Sequence, residues 1–359
     1  MARDRERYEE GHRKKKKKTN RRKKQKRKVI LVIAAILLAL IGLVFAYAWS
    51  KYGKLGRIDI KDKDVKVNDL TKDTEKGLKG YESIALFGLD NRSTGNFESG
   101  NSDTIIVVSI NKKTGEIKMA SVYRDTYLDI ENDKFRKANA AYANGGPKQA
   151  MEMLNKNLDL NITDYVSVDF NALVDAIDLL GGIELDITEE EAKWLNGYVV
   201  ETNKVTGHNS GTVSAGTNVH VDGVQATSYA RIRYVGLDYQ RTERQRTVIT
   251  KMFEKAKSCD IFTLNSLLDE MLPQISTSLS MTEMLGLAGN VAKYHMGENT
   301  GFPFDKESHD VGSLGDMVIP IDLESNVIQL HQFLYTNEAY TPSETVKNLS
   351  ATIRANTGY

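Results

Sequence analysis

The sequence predicts an α/β protein: a three-layer α/β/α sandwich with a mixed central sheet, preceded by one N-terminal transmembrane helix. Three observations support this prediction. Val29–Trp49 has no charged residue, and as a helix it spans about 32 Å, enough for the hydrocarbon core of a bilayer. Three short apolar runs follow one another between residues 81 and 123, as strands of one sheet do. Strand-like and helix-like segments then alternate, which favours helices packed on a mixed sheet.

Charge divides the chain into a basic tail and an acidic body. Residues 1–28 carry sixteen Lys or Arg and four Asp or Glu, a balance of +12 in a chain of net charge +1. Basic flanks stay cytoplasmic, so we expect a single-pass protein of the cell membrane with an extracytoplasmic C-terminal domain. The tail has no aromatic interleaving, and attraction to anionic lipid explains it more simply than nucleic-acid binding. No nucleic-acid partner is expected.

The alternative to an uncleaved anchor is a cleaved signal peptide. The apolar run is longer than the usual 7–15 residues, and no clean small-x-small cleavage site follows it, which favours the anchor. The single cysteine, Cys259, cannot form an intrachain disulfide. An exported body without disulfides must depend on its hydrophobic core for stability.

After the anchor, residues 50–80 are rich in Lys and Asp with little apolar periodicity, and we interpret them as a stalk. Residues 81–359 are then the predicted extracytoplasmic domain. Its first predicted strands are Ser83–Leu89, Asp103–Ile110 and Glu116–Tyr123. The second strand lacks alternation, which is typical of a strand buried on both faces.

Three charged residues stand at the ends of these strands. In a consecutive antiparallel meander, Asp90, Asp103 and Arg124 would meet at one rim of the sheet. Two carboxylates and a guanidinium suit a divalent metal and an anion, and Mg²⁺ in particular takes one or two carboxylates together with water and phosphate oxygens. The alternative is that the two aspartates only cap turns.

Beyond the meander, helices and strands alternate. A short helix from about Lys137 ends at Gly145-Gly146, and Pro147 takes the favoured first position of the next helix. The later predicted elements are a strand at Tyr165–Phe170, a helix at Asn171–Leu180, a strand at Ile183–Ile187, a polar surface excursion at Val199–Val219, helices at Leu264–Met271 and Met281–His295, a Gly- and Asp-rich loop, a strand at Met317–Pro320 and a final helix near Ser325–Tyr335.

The arginine-rich stretch Tyr229–Arg246 predicts a polyanion site, most simply for phosphate. At about 100° per residue, Arg241 and Gln245 extend the apolar stripe of the helix that follows, whereas Arg246 falls opposite it. An inward-facing arginine at a first helical turn needs an anion, and the free N–H groups there attract one as well. Guanidinium forks suit paired phosphate oxygens. The alternative, a solvated basic face, stays open for Arg244 and Arg246.

Several short motifs occur together and in a fixed order. They are Asp90 after an apolar strand, Ser102-Asp103-Thr104, Arg124-Asp125-Thr126, Lys137-Ala-Asn-Ala-Ala-Tyr with Gly145-Gly146, Asp178-Leu-Leu-Gly-Gly182, and Tyr229-x-Arg-x-Arg-x4-Asp-x2-Arg-x2-Arg-Gln245. As a set they resemble the LytR-CpsA-Psr family of wall-glycopolymer ligases. The resemblance covers about residues 81–258 and the membrane topology, and residues 259–359 match nothing of comparable weight.

The resemblance implies a phosphotransferase (EC 2.7.8 type) with Mg²⁺ as its cofactor. It would move a glycopolymer, of teichoic-acid or capsular type, from an undecaprenyl-pyrophosphate carrier onto peptidoglycan through a phosphodiester. By the same resemblance the metal ligands are Asp90 and Asp103, the pyrophosphate clamp is Arg124, Arg231, Arg233 and Arg241, and the further substrate-binding residues are Lys137, Gln245, Asp125 and Asp238. Either Asp103 or Asp125 would accept the hydroxyl proton. Asn101 stands where the family usually has arginine, and Arg92 is the alternative source of that contact.

The prenyl tail of such a substrate needs an apolar sleeve. We expect it between the sheet and the helices of residues 148–180 and 247–256, which supply contiguous apolar side chains. Two other functions use the same sequence features. A lipid-pyrophosphate hydrolase would replace the wall acceptor with water, and a membrane-anchored regulator of the cell envelope would need no buried arginines.

Overall fold

The computed structural model describes residues 47, 49–58, 60–89, 97, 100–337 and 339–359. The chain forms two compact units, residues 1–53 and 54–359. The predicted tail and nearly all of the predicted anchor lie outside the described residues. In the part of the chain that is described, no helix combines the length and apolar character needed to cross a membrane. The anchor at Val29–Trp49 therefore stays a prediction.

Thirteen strands are found in the described part of the second unit. They are β1 (Gly56–Arg57), β2 (Tyr81–Leu89), β3 (Ser102–Asn111), β4 (Glu116–Val122), β5 (Tyr127–Asp129), β6 (Phe135–Lys137), β7 (Asp164–Val168), β8 (Ile183–Ile187), β9 (Gly216–Val221), β10 (Ile275–Thr277), β11 (His295–Phe302), β12 (Lys306–Asp310) and β13 (Asp316–Pro320). Seven of them form the central sheet in the order β1-β10-β7-β2-β3-β4-β11. The pairs β2–β3, β3–β4 and β10–β7 are antiparallel and the others parallel, so the sheet is mixed.

The helices of the described chain connect and cover these strands. They are α1 (Lys72–Lys79), α2 (Ala140–Leu158), α3 (Phe170–Leu179), α4 (Glu189–Thr206), α5 (Gly223–Arg231), α6 (Leu237–Ser258), α7 (Ile261–Met271), α8 (Met281–Gly289), α9 (Leu323–Tyr335) and α10 (Glu344–Thr357). Within α2, Gly145 and Gly146 leave helical geometry, and Gly146 has a φ of 65°. The predicted break before Pro147 is therefore present.

Alternation along β3 separates the core into two faces. Ile105 and Val107 point into the largest apolar cluster, which includes residues of α2, α9 and α10. Ile106 and Val108 point the other way, where Ile249 of α6 packs against them. A third cluster joins α3 to α6 with β8 and β9 beside the sheet. Helices thus lie on both faces, and the predicted mixed α/β class with a central mixed sheet is confirmed.

Several elements differ from the prediction because tertiary packing outweighs local pattern. In the segment interpreted as a stalk, Val65 and Leu78 are buried in the largest core cluster. In the predicted excursion 199–219, helix α4 continues to Thr206, where Gly207 caps it in the left-handed region. The predicted helix 281–295 ends at Gly289. Residues after 258 also supply two strands of the sheet, β10 and β11, and the unpredicted helix α10.

Candidate functional site

Asp103 lies at the centre of a cluster of arginines. The meander brings the start of β3 next to the chain that leaves β4, so Arg124 Nη1 donates to Asp103 Oδ1 at 2.8 Å. From the loop after α5, Arg233 Nη2 donates to Oδ2 at 2.9 Å. Arg241 of α6 donates from Nη2 to the Asp103 carbonyl at 3.0 Å. Guanidinium groups far apart in sequence therefore meet at one rim of the sheet. The meander predicts this position for Arg124.

Arg241 is the most deeply buried of these arginines, with a side chain 2% exposed. Its Nη2 lies 2.8 Å from Oδ1 of Asp238, which sits one turn earlier on α6. Burial lowers the pKa of Arg241 and raises that of Asp238, although each is the other's counter-ion. The prediction that Arg241 faces inward from the first turns of α6 is confirmed.

A second carboxylate, Asp125, continues the rim. Lys137 Nζ lies 3.0 Å from Asp125 Oδ1, and Arg124 Nε donates to Oδ2 at 3.4 Å. Burial acts to lower the pKa of Arg124, but the Asp103 and Asp125 carboxylates outweigh it and raise that pKa. An open cavity of about 380 Å³ lies here. Its lining residues are Asn101, Asp103, Arg124, Asp125, Lys137, Asn139 and Arg233.

Arg231 lies on the other side of Asp103. Its Nη1 donates to Thr202 Oγ1 at 3.0 Å, and its Nη2 lies 3.3 Å from Glu201 Oε2. The guanidinium carbon is 5.2 Å from the ring centroid of Phe170 and 5.4 Å from that of Tyr198. These contacts orient Arg231 into a smaller cavity of about 130 Å³, which Asp103, Arg233, Arg241 and Gln245 also line.

An apolar cavity of about 240 Å³ adjoins this arginine-lined cavity. It lies between the sheet and helices α3 and α6, with residues such as Leu86, Val166, Leu173, Ile249 and Met252 in its walls. Four residues line both cavities: Thr104, Phe170, Ala230 and Gln245. The geometry agrees with the expected apolar sleeve beside Arg231 for the helices α3 and α6. The predicted contribution of residues 148–158 was wrong, because that part of α2 packs on the opposite face of the sheet.

Some buried polar atoms in this region have no partner among the described residues. Arg241 Nε, Asp238 Oδ2 and Gln245 Oε1 each lack a hydrogen bond. Buried polar groups are normally paired, so such atoms need an explanation. All three residues belong to the first turns of α6, and Arg241 and Gln245 line the smaller cavity. Arg241 Nε is a donor and can serve an anionic ligand, whereas the two oxygens are acceptors and need a cation or an N–H or O–H group.

Asp103 is the one predicted Mg²⁺ ligand among the described residues. Within the described residues, no group of three His, Cys, Asp or Glu side chains could hold a metal. Mg²⁺ needs only one or two carboxylates when phosphate oxygens and water complete its shell. Each Asp103 oxygen accepts one guanidinium bond, which leaves lone pairs free. The other predicted ligand, Asp90, and the predicted contact Arg92 lie outside the described residues.

The alternative left open for Arg244 and Arg246, a solvated basic face, does not hold, since both are buried. Arg244 Nε donates to Glu191 Oε1 at 2.8 Å, and its other nitrogens reach the carbonyls of Ile232 and Val235. Arg246 Nε donates to Asn299 Oδ1 of β11 at 2.7 Å, and burial lowers its pKa. The assignment of Arg246 to the solvent face was wrong because β11 covers that side of α6.

Sequence reasoning also missed the aromatic walls. Phe170 and Tyr198 flank Arg231, and Thr202 and Glu201 bind it. Phe170 directly follows Asp169, the residue that caps α3 after β7. Phe170 therefore stands where a strand ends at the rim of the sheet, and this position in the sequence could have identified it as a site residue. Tyr198 and Thr202 lie on α4, a helix that the sequence analysis did not predict. Thr202 falls within the predicted polar excursion and Tyr198 directly before it, so no signal pointed to them.

Fold and site together define a class: mixed α/β proteins with an arginine-lined anion site next to an apolar cavity. The model of the LytR_cpsA_psr family matches residues 51–300 of the sequence. The chain therefore belongs to the LytR-CpsA-Psr family.

Individual relatives and structures agree with this assignment. The chain is 30% identical to the polyisoprenyl-teichoic acid–peptidoglycan teichoic acid transferase TagU of Enterococcus faecalis, over 76% of this chain and 87% of the relative. It resembles the crystal structure of a protein described as a transcriptional regulator of Enterococcus faecalis, with a TM-score of 0.61 and 25% identity, covering 79% and 97%. The fold also matches that of YwtF (TagT) with bound octaprenyl pyrophosphate lipid, with a TM-score of 0.52 and 18% identity, covering 84% and 100%.

Proposed function

We propose that this protein is a membrane-anchored phosphotransferase. It moves a glycopolymer of teichoic-acid or capsular type from an undecaprenyl-pyrophosphate carrier onto peptidoglycan through a phosphodiester. One observation carries the proposal: the arginine-lined cavity and the apolar cavity share Thr104, Phe170, Ala230 and Gln245. A ligand that fills both has an anionic head and an apolar tail. The transferase names of relatives such as TagU support the same conclusion.

The arginines bind and orient the diphosphate. Arg124, Arg233 and Arg241 already converge on one carboxylate, and guanidinium forks suit phosphate oxygens equally well. Positive charge fixed at the place where the leaving oxygen gains negative charge stabilises the transition state. The aromatic walls at Phe170 and Tyr198 keep Arg231 directed at the junction of head and tail.

The transfer itself is a displacement at the phosphorus that carries the glycan. The oxygen of a wall-sugar hydroxyl forms a bond to that phosphorus, and the bond to the bridging oxygen breaks. Undecaprenyl phosphate departs with the electron pair, and the hydroxyl proton passes to Asp103 or Asp125. Such a reaction needs mainly positioning and electrostatic stabilisation.

Mg²⁺ is part of the proposal. Asp103, together with Asp90, would hold the ion, which would act as a Lewis acid and neutralise phosphate charge when bound. The proposed topology completes the assignment: a cytoplasmic tail at 1–28, a single-pass anchor at Val29–Trp49 and an extracytoplasmic domain. Adding EDTA should then abolish turnover, and Mg²⁺ should restore it. Full activity in EDTA would contradict the metal assignment.

The test uses the full chain in proteoliposomes with a lipid-linked glycan carrying a radiolabel. We expect undecaprenyl phosphate to be released and label to appear in peptidoglycan, and we expect Arg124→Ala to abolish both. Unchanged turnover in that variant would refute the site. Equal release with and without peptidoglycan, with free glycan phosphate as the product, would identify the protein as a hydrolase instead.

A further inference from the structure

Helix α7 is an apolar element that the domain covers only in part. All its residues are described, and none of them is buried. Six of the eleven are apolar: Ile261, Phe262, Leu264, Leu267, Leu268 and Met271. Phe262 is 81% exposed and Ile261 72%. A helix with this much exposed apolar surface normally has a partner.

The position of α7 identifies that partner. The strand registers align Gly88 with Val168, Val168 with Ile275, and Ser276 with Gly56. Helix α7 leads into β10 at Ile275. It therefore lies at the same rim of the sheet, formed by the strand ends, as Asp103. Met271 of α7 also lines the apolar cavity. Helix α7 thus stands beside the opening through which a lipid tail would pass.

Chain connectivity places this rim near the bilayer. Lys54 Nζ lies 2.6 Å from Asp269 Oδ1 of α7. Lys54 is five residues beyond Trp49, where the predicted anchor ends, and five extended residues reach about 18 Å at most. Given the anchor, the chain that leaves the membrane therefore joins the domain at a residue that contacts α7.

The polarity of α7 also suits an interface. At about 100° per residue, Ile261 and Leu268 share one face, and Glu270 lies on the opposite face. Phe262 lies about 100° from Ile261, at the side of that face. The N-cap residue Asp260 accepts hydrogen bonds from the N–H groups of Phe262 and Thr263. Its charge stays at the helix end, at the level of the lipid headgroups, when the apolar face enters the bilayer.

We propose that the face of α7 formed by Ile261 and Leu268, with Phe262 at its side in the first turn, inserts into the outer surface of the cell membrane at the mouth of the apolar cavity. It lets the prenyl chain pass from the bilayer to the arginine-lined cavity without crossing water. This inference rests on the proposed anchor and on the proposed lipid-linked substrate. It concerns how the domain meets the membrane, which the transfer chemistry alone does not define.

Helix α8 provides a matched control. Leu285 of α8 is 45% exposed and Leu268 of α7 is 44% exposed, and α8, which is also fully described, has no buried residue either. Helix α8 follows β10 at the opposite rim of the sheet, where Ser278 Oγ donates to Asp164 Oδ1 at 2.9 Å. The two leucines thus have similar exposure and differ mainly in the rim of the sheet at which they lie.

The experiment attaches an environment-sensitive fluorophore to Leu268→Cys or Leu285→Cys in the full chain with Cys259→Ser, reconstituted in vesicles of phosphatidylethanolamine and phosphatidylglycerol. Lipids carrying a quencher in the acyl chain should quench the probe at 268 at least about threefold more than the probe at 285, because only an inserted face meets acyl chains. Equal quenching would overturn the proposal. Shielding at 268 in detergent, with crosslinking between copies, would assign the face to a second copy instead.

A flotation assay separates this inference from the proposals it rests on. A chain that does not float with the vesicles refutes the anchor and the inference together. A chain that floats and turns over substrate while position 268 stays unquenched refutes the inference alone. The double variant Ile261→Ser/Phe262→Ser gives a second readout. It should raise KM for a long-chain lipid substrate in vesicles and leave kcat unchanged, and an unchanged KM would count against the proposal.

Discussion

Arg241 and Arg244 lie one turn apart on α6 and are almost equally buried, at 2% and 4% exposure, yet their surroundings differ. Arg244 is saturated, with one carboxylate, two backbone carbonyls and Gln240 as acceptors. Arg241 keeps Nε without a partner and faces a cavity with two acidic neighbours. Burial of an arginine therefore does not distinguish a structural role from a ligand-binding role. A free donor that faces a cavity does, since buried Arg246 also keeps Nη1 without a partner but lines none of the cavities of the site.

The largest expected effect is at Arg241. Replacing it with alanine should lower turnover about a thousandfold through the lost anion contact and cost about 3 kcal/mol of stability, because Asp238 is left buried without its counter-ion. Urea denaturation and turnover are the two measurements. Arg241→Lys keeps the charge but not the fork, so it should recover stability more than activity. Equal recovery of both would contradict a role in phosphate binding.

The saturated arginine should respond differently. Arg244→Ala should cost about 3 kcal/mol of folding free energy, since it leaves Glu191 unpaired in a half-buried site. Chemical denaturation measures this loss. The matched variant Glu191→Gln keeps an acceptor for Arg244 and should cost less. A stable Arg244→Ala protein that has lost only its turnover would reverse the distinction drawn between the two arginines.

Arg233 extends the comparison to an arginine of the site that is partly exposed. Its side chain is 42% exposed and contacts Asp103 at 2.9 Å. Arg233→Ala should lower turnover about a hundredfold and change stability by less than about 1 kcal/mol. Arg354, exposed and 3.5 Å from Asp322, is the control, and Arg354→Ala should alter neither quantity. A large stability loss at Arg233 would mean that the rim cluster holds the fold together.

The smallest expected effect is the pH response of Glu191. Burial acts to raise its pKa, but hydrogen bonds from Arg244 and Thr188 outweigh it and lower the pKa below 4.5. A lowered folded-state pKa gives stability that is complete above 4.5 and is lost as the pH falls through the folded value. The difference in Tm between the native protein and Glu191→Gln should therefore shrink below pH 4.5. A constant difference down to pH 3 would contradict this linkage.

The sequence predicted most of the site because its signals are local. Apolar runs and turns define the meander, and the meander brings Asp103 to Arg124. The helical period then turns Arg241 inward. Gly145-Gly146 and Pro147 likewise mark a break that needs no tertiary information. These predictions depend only on chain geometry over a few residues.

What the sequence could not predict depends on distant neighbours. Strand β11 has the sequence His-Met-Gly-Glu-Asn-Thr-Gly-Phe, whose polar composition is typical of a loop, and only pairing with β4 makes it a strand. Once in place it covers Arg246, which a helical wheel assigns to solvent. The continuation of α4 to Thr206 was missed for a similar reason, because its inner face packs on α5.

The contact between Asp103 and its arginines has a consequence for product release. Asp103 is an anion built into the protein, and any phosphate must compete with it for the same guanidinium groups. A diphosphate brings more charge and more oxygens to that competition than a monophosphate does. The carboxylate of Asp103 should therefore displace the carrier product, which has a single phosphate, from the guanidinium groups. Product release then needs no separate step before the next substrate binds.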